Sequence, residues 1–155
     1  MNASFDHITK LINAGRVHEA LETINRTNDN SPWMQNARAV CLMRSGQSDK
    51  ALSVLTALVY QPNSVVFRQN VPEILKLNLV TAMLLSGNVS GAMTVMQQVH
   101  QDSPMRTQIQ NAVNQWKRSR PLMSRIAFSC GILPYNSPVP LDFLPGQLED
   151  QVHAT

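Results

Sequence analysis

The chain has 155 residues with 13 basic and 10 acidic side chains, a net charge of +3 and an isoelectric point near 9.2. That length suits one domain burying roughly two thirds of its unfolded surface, and the charge excess over the whole chain is too small to count as a nucleic-acid signature. Two distant cysteines, no uninterrupted run of apolar residues long enough to span a bilayer and no basic leader before an apolar stretch argue against a disulfide scaffold, a membrane span and a secretory signal, so a cytoplasmic protein is expected.

In chain order, Phe5, Ile8, Leu11 and Ile12 fall on one face of a helix, and Gly15 follows where a helix end needs a left-handed residue. Val17, Ala20, Leu21 and Ile24 form a second stripe and complete a helical pair. The arrangement recurs with Trp33, Ala37, Val40 and Cys41 before Gly46, then Ala51, Leu52, Leu55, Leu58 and Val59 after it. It recurs again with Ile74, Leu75, Leu79, Ala82 and Met83 before Gly87, then Ala92, Met93, Met96 and Val99. Each glycine precedes an alanine by five positions, and Ile24, Leu55 or Met96 follows four later. The small alanine predicts a close crossing of two helices. Pro32, Pro62 and Pro104 close the three units.

Ser31 before Pro32 and Ser103 before Pro104 predict helix starts, and Asn70 with Glu73 predicts a capping box opening the third pair. Residues 74–85 are apolar nearly all round and should form the most buried helix. Met105, Ile109, Ala112, Val113 and Trp116 predict a capping helix, and Leu122, Met123, Ile126, Ala127 and Cys130 a short further one ended by Gly131. Cys41 and Cys130 are both expected to be buried free thiols. From Pro134 the chain is rich in proline yet carries Tyr135, Val139, Leu141, Phe143, Leu144 and Leu148. Such apolar content predicts an ordered, extended tail that docks on the helices, either in their groove or on the capping helices.

The recurring glycine, alanine, bulky residue and proline resemble the tetratricopeptide repeat family over about residues 4–104. The glycines are 31 and 41 residues apart (46 minus 15, 87 minus 46), against a family period of about 34, and Leu11, Leu42 and Met83 stand where an aromatic residue is usual. The resemblance implies an all-α, antiparallel helix-hairpin array wound into a superhelix over residues 1–131, with capping helices and an extended tail at 132–155. It further implies a scaffold that binds an extended peptide or a partner protein on a concave face lined by the first helix of each pair. In that register Asn36, Val40 and Arg44 of the second pair and Asn78, Thr81 and Leu85 of the third face the partner. Asn78 matches a family asparagine that holds a peptide backbone or carboxylate. Leu85 replaces the accompanying lysine, so a weakly charged segment is expected rather than an acidic C-terminus.

His7, His18, His100 and His153 lie on separate elements without a catalytic or metal-binding motif, so no enzyme activity, cofactor or metal is expected. Lys117, Arg118, Arg120 and Arg125 cluster beside Trp116, with Leu122, Met123, Ile126 and Phe128 flanking them. This cluster raises a rival reading as a nucleic-acid or membrane-surface binder, although complementing a helix C-terminus accounts for it more simply. A structural subunit that self-associates through apolar faces is the other rival.

Overall fold

The apolar stripes fold as helices, and left-handed glycines separate them. The computed structural model describes residues 3–131 and 137–148, which contain eight α-helices and no named strand. They are α1 (Ala3–Asn13), α2 (Val17–Arg26), α3 (Pro32–Arg44), α4 (Ser48–Val59), α5 (Glu73–Leu85), α6 (Val89–Met96), α7 (Pro104–Arg118) and α8 (Leu122–Ser129). The chain is all-α over these residues. No described helix is long and apolar enough to cross a membrane. Pro134 and Tyr135, with the rest of 132–136 and 149–155, lie outside the described residues.

Gly15, Gly46 and Gly87 end α1, α3 and α5 identically, at φ of +75°, +77° and +83°. Each glycine N–H donates to a carbonyl three residues back, on Ile12, Met43 and Leu84, at 3.1 Å. The next N–H, of Arg16, Gln47 and Asn88, donates to Leu11, Leu42 and Met83 at 2.9, 2.8 and 2.8 Å. This paired set satisfies the orphan carbonyls of a helix end, and only glycine adopts the required φ without strain. The following helix then starts within two residues, so Ala20, Ala51 and Ala92 all lie fully buried.

Each helix from α1 to α5 packs on its successor, and α5 packs on α6. Alternate helices also touch, α1 with α3, α3 with α5 and α5 with α7, forming a row backed by α2, α4 and α6. The central helices α3 and α5 bury more residues than any others. Along α5, Leu75, Leu77, Leu79, Val80, Ala82, Met83 and Leu84 are buried, together with the polar Asn78 and Thr81.

Ser31 caps α3, its hydroxyl accepting from the Met34 N–H at 3.4 Å, whereas Ser103 starts α7 without a side-chain cap. The Asn70 and Glu73 capping box does not form. Pro72 is the N-cap of α5, and the Glu73 carboxylate accepts instead from the His100 N–H at 3.3 Å. The cause lies in the preceding loop, where Tyr60 bridges Phe67, their rings stack at 5.2 Å, and Arg68 N–H returns to the Val59 carbonyl. Asn70, at φ +55°, turns the chain out of this loop rather than capping the helix.

Cys41 is buried, but Cys130 is exposed, because α8 leaves Leu122, Met123 and Ile126 largely in solvent and provides no cover for its own end. Burial pushes the Cys41 thiol from 9.0 up to about 11, against the opposing charge of Arg44. Iodoacetamide near pH 8 should therefore label Cys130 and spare Cys41 in the folded chain, a difference that mass spectrometry reads directly. Because the fold holds Cys41 protonated beyond its unfolded pKa, this contribution to stability is complete below pH 9 and is lost as pH rises toward 11. Enlarging Ala51 to Leu should overpack the crossing and cost about 1 to 3 kcal/mol; an unchanged denaturation midpoint would contradict the close crossing.

Candidate functional site

On α3, Asn36, Val40 and Arg44 follow one another at one-turn intervals, and Asn78, Thr81 and Leu85 do the same on α5. Because α3 and α5 are neighbours in the row, the two stripes meet. Asn36 and Asn78 are both buried, and the Asn78 amide donates to the Asn36 Oδ1 at 2.8 Å. Two buried primary amides need further partners, since each unpaired polar atom would cost about 1 to 3 kcal/mol.

Those partners come from the chain's own residues 137–148. The segment begins beside α7, where the Arg120 guanidinium donates to the Ser137 hydroxyl and stacks over the Trp116 ring at 4.7 Å. It crosses the C-terminal end of α5, with the Val139 N–H donating to the Leu84 carbonyl at 2.9 Å. At the end of α3, Arg44 donates from Nε to the Pro145 carbonyl at 3.1 Å and from Nη2 to the Gly146 carbonyl at 2.9 Å. Its Nη1 reaches the Ile12 carbonyl of α1 at 3.3 Å, so one guanidinium ties two helix ends and the segment together. Burial lowers the Arg44 pKa, and its hydrogen-bond partners here are carbonyl oxygens rather than a carboxylate.

Past Gly146 the segment turns in between α3 and α5. The Gln147 N–H donates to Asn78 Oδ1 at 2.9 Å, while its carbonyl accepts from Asn78 Nδ2 at 2.8 Å and from Asn36 Nδ2 at 3.3 Å. Asn78 thus pairs with both halves of one residue's main chain, as a neighbouring β-strand would. Up to Leu144 the segment alternates like a strand. Val139 is buried, Leu141 and Phe143 are half-buried, and Pro138, Pro140, Asp142 and Leu144 face solvent.

Of the six residues expected to face a partner, Asn36, Arg44 and Asn78 bond this segment, and Val40 lies beneath Gly146. Thr81 does not reach it. Its hydroxyl donates to the Leu77 carbonyl one turn earlier at 2.8 Å, which is the local alternative open to a buried helical threonine. Leu85 is half-buried against the core, and the neighbouring Leu84 carbonyl makes the contact instead. Sequence reasoning missed Met43 and Gly146, and placed Arg120 in the basic cluster rather than against this segment; the signal for Gly146 was present in the Pro145-Gly146 pair.

A cavity of about 410 Å³ opens beside Gln147, lined by Glu73, Ile74, Leu77, Met105 and Gln108 among others. Of the basic cluster, Arg120 bonds the segment at Ser137, whereas Arg118 and Arg125 are exposed at the end of α7 and on α8. Burial lowers the Lys117 pKa. Among the described residues no three His, Cys, Asp or Glu side chains converge to hold a metal ion.

Comparison with protein-family models, curated proteins and solved structures gives no match.

Asn78→Ala should leave the Gln147 N–H and the Asn36 Oδ1 unpaired, with the Gln147 carbonyl held by Asn36 Nδ2 alone. The expected result is a loss of about 1 to 3 kcal/mol in stability, with faster hydrogen exchange at the Gln147 amide. Unchanged exchange there would mean that Asn78 does not hold the segment in solution.

Proposed function

We propose that the chain is a tetratricopeptide-like scaffold: three helical hairpins in a superhelical array, with α7 and α8 capping it, that binds an extended segment of a protein in the groove along α1, α3, α5 and α7. The observation that carries this reading is the hydrogen bonding of Asn36, Asn78 and Arg44, which is spent on main-chain groups of an extended chain. Side chains that read backbone accept many sequences and suit peptide recognition. The three matching helix ends at Gly15, Gly46 and Gly87 support the hairpin register.

A second reading is favoured by α8, where Leu122, Met123 and Ile126 are 65%, 78% and 51% exposed beside the exposed Arg118 and Arg125. Apolar and basic side chains together suit an anionic membrane surface.

Photo-crosslinking separates the two. A photoreactive residue at Gln108, exposed at the groove mouth, should capture a protein partner in the source cell, while one at Arg125 on α8 should not. Capture from position 125 alone, or flotation of the chain with anionic vesicles that salt abolishes, would transfer the function to α8.

A further inference from the structure

We propose that the groove is selective for one class of peptide: an extended segment with alternating apolar side chains that ends in Pro-Gly and continues for one further main-chain unit, presented by a partner protein in exchange for residues 137–148. The inference rests on the peptide-binding reading above. It goes beyond it by assigning what the groove selects, and which residue of the ligand is read.

Gly146 is the read position. It is buried at φ +75°, and a Cβ there would stand 2.6 Å from Met43 Cε, 3.0 Å from Val40 Cγ2 and 3.4 Å from Val40 Cα. Gly15, Gly46 and Gly131 share the left-handed conformation, yet a Cβ on any of them meets nothing within 4 Å. Those three only end helices. At Gly146 both the backbone conformation and the surface of α3 exclude a side chain, and Met43 can yield more readily than the Val40 backbone.

The flanking positions explain the rest of the pattern. Arg44 forks onto two consecutive carbonyls, of Pro145 and Gly146, which present together because the chain bends there. Asn78 and Asn36 take the main chain of the next residue and leave its side chain exposed, so position 147 is open to any residue. Val139, Leu141 and Phe143 supply the inward apolar side chains. None of these contacts distinguishes a segment tethered at Gly131 from the same chemistry on another chain. Belonging to the same chain raises the effective concentration of residues 137–148 at the groove and so makes them a resident competitor.

The test uses the full chain and a fluorescent peptide with the sequence of residues 137–148. In the chain carrying Gly146→Val the resident segment is weakened, and the peptide should bind at least about tenfold more tightly than to the wild-type chain. The same peptide carrying Gly146→Ala should bind about tenfold more weakly, and one carrying Asp142→Asn and Leu144→Gln should bind as the original does. Should Gly146→Val prevent folding, the isotope-labelled wild-type chain at millimolar peptide provides the readout. The original peptide then accelerates hydrogen exchange at the Gln147 and Val139 amides, and the alanine peptide does not. Equal effects of the glycine and alanine peptides overturn the selectivity and leave the groove reading standing, whereas no effect of either overturns both. A wild-type dimer that the peptide dissolves would make the occupant a second copy and overturn the assignment to a partner protein.

Discussion

Asn78 sits without exposed surface in the middle of α5, the helix with the most buried residues, and α3 and residues 145–147 are arranged around satisfying it. Its amide has two donors and one acceptor to place in a medium where an unpaired group is costly. Asn36 takes one bond and the Gln147 main chain takes the other two. That requirement links α3, α5 and a segment 69 residues further along the chain. It also makes the central helices dependent on an occupant between them, because a half-satisfied polar network is worse than an apolar contact.

Arg44 extends the same logic to the helix ends. The last turn of a helix leaves carbonyls unpaired, and α1 and the bent segment both offer carbonyls where α3 terminates. A planar fork of donors matches them better than a single ammonium group does, and nothing charged is needed to hold it. Arg44 thus keeps its charge among neutral carbonyl partners of α1 and the segment.

The helices were legible because their ends are chemically explicit. A left-handed glycine after an apolar stripe and an alanine five residues on leave few alternatives, and Gly15, Gly46 and Gly87 all took the anticipated place. Asn36, Arg44 and Asn78 were expected from a resemblance rather than from local signals, and in the structure all three bond main-chain groups of residues 145–147. Thr81 and Leu85 shared the register but not the contact, since a threonine can satisfy itself within its helix and a leucine needs no partner. Asn70 misled because asparagine serves a cap and a left-handed turn equally well, and only the Tyr60 and Phe67 pairing decides between them. Cys130 misled for a similar reason. An apolar stripe predicts a helix, but whether anything covers its apolar face depends on neighbours that are distant in sequence.

The prolines of the docked segment bear on a hazard of a different kind. An extended chain lying along a protein surface presents one row of its peptide groups to solvent, and such a free edge invites pairing with any other extended chain. Along residues 138–140 the Val139 N–H points into the helices, so the N–H groups of its two neighbours are those that would point outward. Both neighbours are prolines, which have no N–H to offer. At its start the segment can use its inner edge for binding while its outer edge lacks the donors needed to nucleate a sheet. Over residues 138–140 the segment is thereby a poor template for pairing with another extended chain.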